Sequence, residues 1–245
     1  MNPTIETILR HRSIRKYENR PLTEEQIRLI VQSAQAASTS SYIQAYSIIG
    51  ICDPEKKKRL AELSGNQSYV ETNGHFFIFC ADLYRHQVLA DMEGQDISMS
   101  LESTEKFMVA LIDASLAAQN AAIAAESMGL GICYIGGLRN QLEEVKALLH
   151  IPERVIPLFG LTVGYPLQEG SVKPRLPLAH IYHEDSYHSD TEQLQLQLAE
   201  YNEVIRQYYE ERTNGERRDT WTGQMAHMLA RPTRMYMKEF VERSG

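Results

Sequence analysis

Apolar positions recur along this chain at two spacings, and the switch between them marks out its elements. Ile27, Ile30, Val31, Ala34 and Ala37 fall three and four apart, the spacing of one helix face. Thr23-Glu24-Glu25-Gln26, just ahead of them, is a capping-box sequence, so a helix opens there. It runs out in Ser38-Thr39-Ser40-Ser41, where hydroxyls compete for backbone groups. A shorter first helix is predicted on Ile5, Ile8 and Leu9, capped by Thr4 and broken by the polar run His11-Arg12-Ser13-Ile14-Arg15. Four stretches are β-branched or aromatic enough for strands: residues 46–52, 76–81, 132–135 and 155–163. Helices are predicted between them over 54–63, 104–128 and 141–149. With so few strands, the alternation predicts a small central sheet flanked by helices.

The stretch 104–128 is apolar almost all round, so it should be buried on most faces. Asp113, Gln119, Asn120 and Glu126 would make a bilayer crossing costly, and no membrane association is expected. Ala117, Ala118, Ala121, Ala122, Ala124 and Ala125 permit close approach of another backbone. Two readings stay open: a core helix, or a core helix that also builds a subunit interface. Beyond Pro166 the pattern changes. Each proline in Lys173-Pro174-Arg175-Leu176-Pro177 biases its predecessor away from helix, which predicts an extended segment. The tail from residue 191 reads as helical and charged, with a break at Thr213-Asn214-Gly215. It lacks a core of its own and is expected to wrap over the body or over a partner subunit.

Composition narrows the function. The 245 residues are 43% hydrophobic, enough for one sizeable core. A formal charge of -7 argues against a generally basic surface for nucleic acid while allowing a local basic pocket. The start has no basic segment leading into an apolar run, so no signal peptide is expected. Cys52, Cys80 and Cys133 lie in apolar runs without metal-ligand spacing, and read as core thiols of a reducing cytoplasm.

Singly, the polar clusters have plain readings. His11 to Arg15 suits a helix end, Ser38 to Ser41 a solvated loop, and Lys173 and Arg175 surface charge. Together they amount to two cationic clusters, two hydroxyl or amide clusters and the glycine turn Tyr134-Ile135-Gly136-Gly137. No catalytic triad, Walker loop, metal cluster or GxGxxG pattern accompanies them. Such a set suits a cofactor that does the hard chemistry, and FMN asks for it. Its phosphate needs arginine, lysine or hydroxyl donors. Its ring edge suits an amide such as Gln44 or Gln67, and its reduced form is stabilised by a nearby cation.

The ordered motifs His-Arg-Ser-Ile-Arg (11–15), Ser-Ser-x-x-Gln (Ser40 to Gln44), Gln67-Ser68-Tyr69, Tyr134 to Asn140, Lys173-Pro174-Arg175 and Asn214 to Trp221 resemble the NADPH-dependent nitroreductase / flavin reductase family over essentially the whole chain. The Ala124 to Gly131 stretch closing the apolar helix belongs to the same pattern. The resemblance implies an α+β nitroreductase-like fold with a small, mostly antiparallel sheet. It implies one domain over residues 1–245, with a helical extension from about 185 embracing a second subunit. It further implies a homodimer with non-covalent FMN and NADPH as hydride donor, working by ping-pong on nitroaromatics, quinones, free flavin or similar oxidants.

Carried over by position, His11, Arg12, Ser13, Ile14, Arg15, Lys173, Pro174 and Arg175 would hold the phosphate, ribityl chain and ring edge. Thr39, Ser41 and Gln44 would add polar contacts, and Gln67, Ser68 and Tyr69 would line the pyrimidine side. Tyr134, Ile135, Gly136 and Gly137 would lie near N5. Arg212, Arg217 and Arg218 would recognise the NADPH 2′-phosphate. The chain departs from the pattern in Thr39, where a serine is expected, and in a long acidic segment over 91–105 that is expected to shape the substrate channel. Two competing readings are a flavoprotein with another acceptor, such as a disulfide, and a helical interaction module without cofactor.

Overall fold

The computed structural model describes residues 1–244; Gly245, the last residue of the expected tail, lies outside them. Four strands form one sheet in the order β1-β2-β4-β3, every neighbouring pair antiparallel. They are β1 (Tyr46–Ile51), β2 (His75–Asp82), β3 (Gly131–Ile135) and β4 (Val155–Gly164). The central pair is buried on both faces, and alternation divides its side chains between two helical layers. Phe77 and Phe79 join Leu161, Val163 and the alanines of α7 (Thr104–Ser127), together with Ile30 and Ala34 of α2 (Glu24–Gln35). Phe76, Ile78 and Cys80 point the other way, into Leu60 and Leu63 of α3 (Pro54–Leu63) and Val145 of α8 (Leu142–Leu149).

Local chemistry places these helices. Thr23 caps α2 through the full capping box, its hydroxyl accepting from the Gln26 N–H at 3.2 Å while Gln26 accepts from the Thr23 N–H at 3.0 Å. Asp53 caps α3 ahead of Pro54 at its first position. For α1 (Pro3–Leu9) the cap is Asn2 rather than Thr4: Asn2 accepts from the Ile5 N–H at 3.0 Å, and Thr4 lies inside the helix. Helix α7 is long and apolar enough to cross a membrane by length and composition. Nine of its side chains are buried, among them Asp113, packed on α2 and the sheet. Its Leu111, Ile112 and Leu116 remain exposed, as do Ile5, Ile8 and Leu9 of α1 beside it.

The segment over 91–105 begins inside a helix the sequence reading passed over, α5 (Tyr84–Glu93). That helix ends at left-handed Gly94, and the chain continues through the one-turn α6 (Ser98–Leu101) to the Ser103 cap of α7. The earlier one-turn helix is α4 (Ser68–Glu71). Cys80 and Cys133 are buried as expected, whereas Cys52 is exposed because it lies just past the end of edge strand β1.

The chain forms two compact units. Residues Met1–Gly170, with those from Tyr236 on, make the first, and Ser171–Met235 the second. The second contains α9 (Thr191–Arg212) and α10 (Trp221–Leu229), and α11 (Met237–Ser244) returns to the first. Contrary to expectation, the second unit has a small core: Tyr201, Ile205 and Tyr209 are buried against Leu176, Tyr208 and Trp221.

His75 makes stability depend on acid. Burial, then the nearby Lys57 charge, lowers its pKa from 6.5 to about 4. Between those values the unfolded chain binds a proton that the folded protein does not, so stability falls as pH drops from about 6.5 towards 4. The full effect is about 3 kcal/mol. Denaturant unfolding at pH 7 and pH 4.5 should show most of it, and His75→Phe should flatten the slope. An unchanged slope in that variant would assign the acid sensitivity elsewhere.

Candidate functional site

The polar run after α1 is laid along β3 as an extended segment. Ser13 bridges Ile132 in parallel, and the Ile14 N–H donates to the Ile132 carbonyl at 2.8 Å. Alternation then sorts the side chains. Ile14 is 1% exposed, seated over Gly131, where a Cβ would come within 2.8 Å of it. Ser13 and Arg15 point outward and are exposed. Ile14 is therefore the anchor of this segment, and its side chain is not presented to a ligand. Tyr17 locks the far end, donating to the Ile14 carbonyl at 2.7 Å and meeting the Thr162 hydroxyl at 2.8 Å. His11 pairs with Glu126 at 2.8 Å, and Arg12 donates to the Glu169 carbonyl at 3.4 Å.

Arg15 lies 6.0 Å from the centre of the Tyr69 ring. From there a chain of contacts leads to the glycine turn. The Tyr69 hydroxyl donates to the Gln67 carbonyl oxygen at 2.6 Å, and Gln67 donates to the Ser64 carbonyl at 2.7 Å. That carbonyl sits against Gly137, in the turn Gly136–Asn140 that follows β3. A Cβ on Gly137 would lie 2.3 Å from it and 2.7 Å from Gln67 Nε2. Ser68 is exposed at the start of α4, Ile135 is buried in the core, and Tyr134 is half out of the sheet with its ring edge-on to Phe159. Burial, with Glu126 nearby, pushes the Tyr134 phenol up. The Cys133 thiol, flanked by Ser13 and Arg15, is also raised by burial, against the Arg15 charge.

Thr39, Ser41 and Gln44 lie on one loop of unusual backbone: Ser41, Tyr42 and Gln44 have φ of 49°, 59° and 55°. Ser41 and Gln44 are exposed. Asp113, which accepts from the Ser40 and Ala45 N–H groups of this loop, was not among the expected site residues, nor were the other residues that hold it. Their one signal was a lone carboxylate inside an alanine-rich helix.

The second unit brings its own cations together. Lys173 donates to the Tyr209 hydroxyl at 3.0 Å, and Tyr201 donates to the Pro174 carbonyl at 2.9 Å. Arg217 stacks 4.4 Å from the centre of the Tyr209 ring and pairs with Asp219 at 2.7 Å. Arg212 donates to the Tyr208 hydroxyl at 2.9 Å, and Arg218 pairs with Glu210 at 2.7 Å. Arg175 is exposed. Burial would raise the Tyr209 phenol, but its bonds with Lys173 and Gln224 and the charge of Arg217 outweigh it and bring it below its ordinary value.

The donor set of the first unit fits FMN. Ser13, Arg12 and Arg15 offer hydroxyl and guanidinium donors for an anion. Gln67 retains one amide proton and one lone pair beyond these two bonds, the complement of an imide edge. Gly137 is buried, and its missing Cβ is what lets the glycine turn pack against the Ser64 carbonyl and the Gln67 amide, fixing that amide in place.

A small antiparallel sheet between helical layers carries the donor strip along β3 and the glycine turn at its end, and the chain belongs to the nitroreductase family. Residues 8–165 match that family and residues 173–245 its C-terminal domain. Among solved structures, B. megaterium NfrA1 is similar over 100% of this chain and 99% of that one, with 68% identity and a TM-score of 0.99. The FMN reductase (NADPH) of Bacillus subtilis is 57% identical, covering 100% of this chain and 98% of that protein. An NADPH-dependent oxidoreductase of Staphylococcus aureus is 44% identical, over 97% and 95% respectively.

Proposed function

We propose that this chain is an NADPH-dependent FMN oxidoreductase that passes electrons to small oxidants such as nitroaromatics, quinones or free flavin. The observation that carries the reading is the continuous line of contacts from Arg15 through Tyr69 and Gln67 to Gly137. It supplies a cation, an aromatic and an amide in one strip, packed at its end against the glycine turn. FMN, when bound, would supply two-electron chemistry between NADPH and the oxidant. Arg15 and Arg12 would contribute positive charge to neutralise its phosphate and to stabilise negative charge on the ring. Gln67, fixed by Ser64 and Tyr69, orients the ring edge, and Ser13 adds a hydroxyl donor. Lys173 and Arg175, in the second unit, would offer further cations to an anionic group. Arg212, Arg217 and Arg218 select NADPH by its 2′-phosphate, and donor and acceptor use the same open face in turn.

A homodimer fits the exposed apolar stripe of α7 and α1, larger than single surface residues require. In this reading Ser171–Met235 reaches the partner, bringing its exposed Ile181, Leu229 and Met235 against it. Sedimentation as a monomer would overturn this part. We place the enzyme in the cytoplasm, where NADPH and reducing conditions suit its three free thiols; recovery in another cell fraction would refute that.

The purified protein should show a flavin absorbance band that bleaches rapidly on anaerobic addition of NADPH and slowly with NADH. A colourless protein that takes up no added FMN would overturn the central reading.

A further inference from the structure

We propose that Asp113 is a positioning residue for flavin binding, its buried carboxylate fixing the left-handed loop that presents Thr39, Ser41 and Gln44. The inference rests on the reading of that loop as a flavin contact. Asp113 is 0% exposed in the middle of α7. A carboxylate taken out of water is costly unless hydrogen bonds replace its solvent. Here each oxygen accepts one backbone N–H, from Ser40 at 2.8 Å and from Ala45 at 3.1 Å. These two donors bracket the loop, so one side chain ties both of its ends.

Between the ties the backbone adopts a conformation it would not hold alone. Ser41, Tyr42 and Gln44 all have positive φ, which L-residues disfavour and which persists only where the surroundings over-determine it. Helix α5 supplies the opposite side of the clamp. His86 Nε2 donates to the Ile43 carbonyl at 2.8 Å, and Arg85 donates to the Gln44 carbonyl at 3.4 Å and to the Ser47 hydroxyl at 3.2 Å. The Asp82 N–H donates to the Ala45 carbonyl at 3.0 Å. Thus the loop is tied to the protein at Ser40, Ile43, Gln44 and Ala45, while the Ser41 and Gln44 side chains are exposed. Strain held by a buried charge, with polar side chains turned outward, is the arrangement of a preformed ligand loop.

Asp113→Asn keeps the size but turns one acceptor into a donor facing an N–H. The FMN dissociation constant of the apoprotein, read by fluorescence quenching, should rise about ten- to a hundred-fold. The FMN concentration for half-maximal activity should rise in parallel, with kcat at saturating FMN within about two-fold of the parent. Ile151→Ala, in the core under α8, is the control for lost stability and should leave FMN affinity unchanged. The combined loop variant Thr39→Val, Ser41→Ala, Gln44→Ala tests the underlying reading. If it binds FMN normally, the loop is not a flavin contact and the inference falls with that reading. If it binds weakly while Asp113→Asn binds normally, the positioning role alone is overturned. Equal weakening in Ile151→Ala overturns it too. Should Asp113→Asn fail to fold, His86→Phe removes the Ile43 tie and is judged by the same outcomes.

Discussion

Gly137→Ala should strip the flavin from a protein that still folds. The added methyl would sit 2.3 Å from the Ser64 carbonyl oxygen and 3.1 Å from its carbon, so the obstacle is backbone and cannot swing away. Either the turn Gly136–Asn140 or the end of α3 must shift. The first casualty is the 2.7 Å bond from Gln67 to Ser64, and with it the 2.6 Å bond that orders Tyr69. Overpacking of this kind costs about 1–3 kcal/mol of stability. Flavin affinity should fall by at least about ten-fold, because the ring edge loses its positioned amide. Gly136→Ala is the matched comparison. There the nearest atom is Arg139 Nη2 at 3.3 Å, the end of a long side chain, so both losses should be much smaller. Flavin titration and denaturant unfolding of the two variants decide the matter. Equal effects would show that the turn is merely intolerant of bulk.

The helices that begin with a strong cap were legible in the sequence because a cap is local chemistry. Thr23 with Gln26, and Asp53 with Pro54, start helices where their side chains satisfy the first N–H groups. The strands were legible because β2 and β4 are buried on both faces and read as continuous apolar runs. Helix α5 was not. Its apolar residues Val88, Leu89 and Ala90 fall side by side, and only Ala90 is buried, so no face announces it. The same limit explains Ile14. Within a polar run it looked like one more site residue, but pairing with β3 turns it inward and turns Ser13 and Arg15 outward. That sorting depends on a strand more than a hundred residues away, which local pattern does not contain. The tail appeared coreless because the partners of Tyr201, Ile205 and Tyr209 on α9 lie elsewhere in the chain: Leu176 precedes the helix, and Trp221 follows the break near Gly215 and meets them only when the chain doubles back.

The two units divide the chemistry in a way that composition alone obscures. The body offers fixed backbone and anchored groups: the Ser13–Arg15 backbone pinned by Ile14 against β3, the Gln67 amide held by Ser64, and the 39–45 loop held by Asp113. Such groups lose little entropy when a cofactor arrives, which suits a resident ligand. The second unit instead carries exposed arginines on aromatic supports, and an exposed cation on a stacked ring is suited to a ligand that comes and goes.

That difference sets the expected order among the three arginines. Arg212 and Arg217 lie on tyrosine rings, but Arg217 also holds Asp219 at 2.7 Å and must give it up or share it to bind a phosphate. Arg218 is engaged by Glu210 at 2.7 Å. Arg212 has a neutral recorded partner, the Tyr208 hydroxyl, so its charge is the most available. Arg212→Ala should therefore raise the KM for NADPH most, by about ten- to a hundred-fold, with Arg217→Ala next and Arg218→Ala least. NADH lacks the 2′-phosphate, and its KM should change by less than about two-fold in all three. A charge pair open to solvent is screened by salt, so the parent's preference for NADPH should shrink as ionic strength rises, and less so in Arg212→Ala. Equal losses with NADPH and NADH would mean that these arginines hold the shared pyrophosphate or the local fold, and would move the 2′-phosphate site elsewhere.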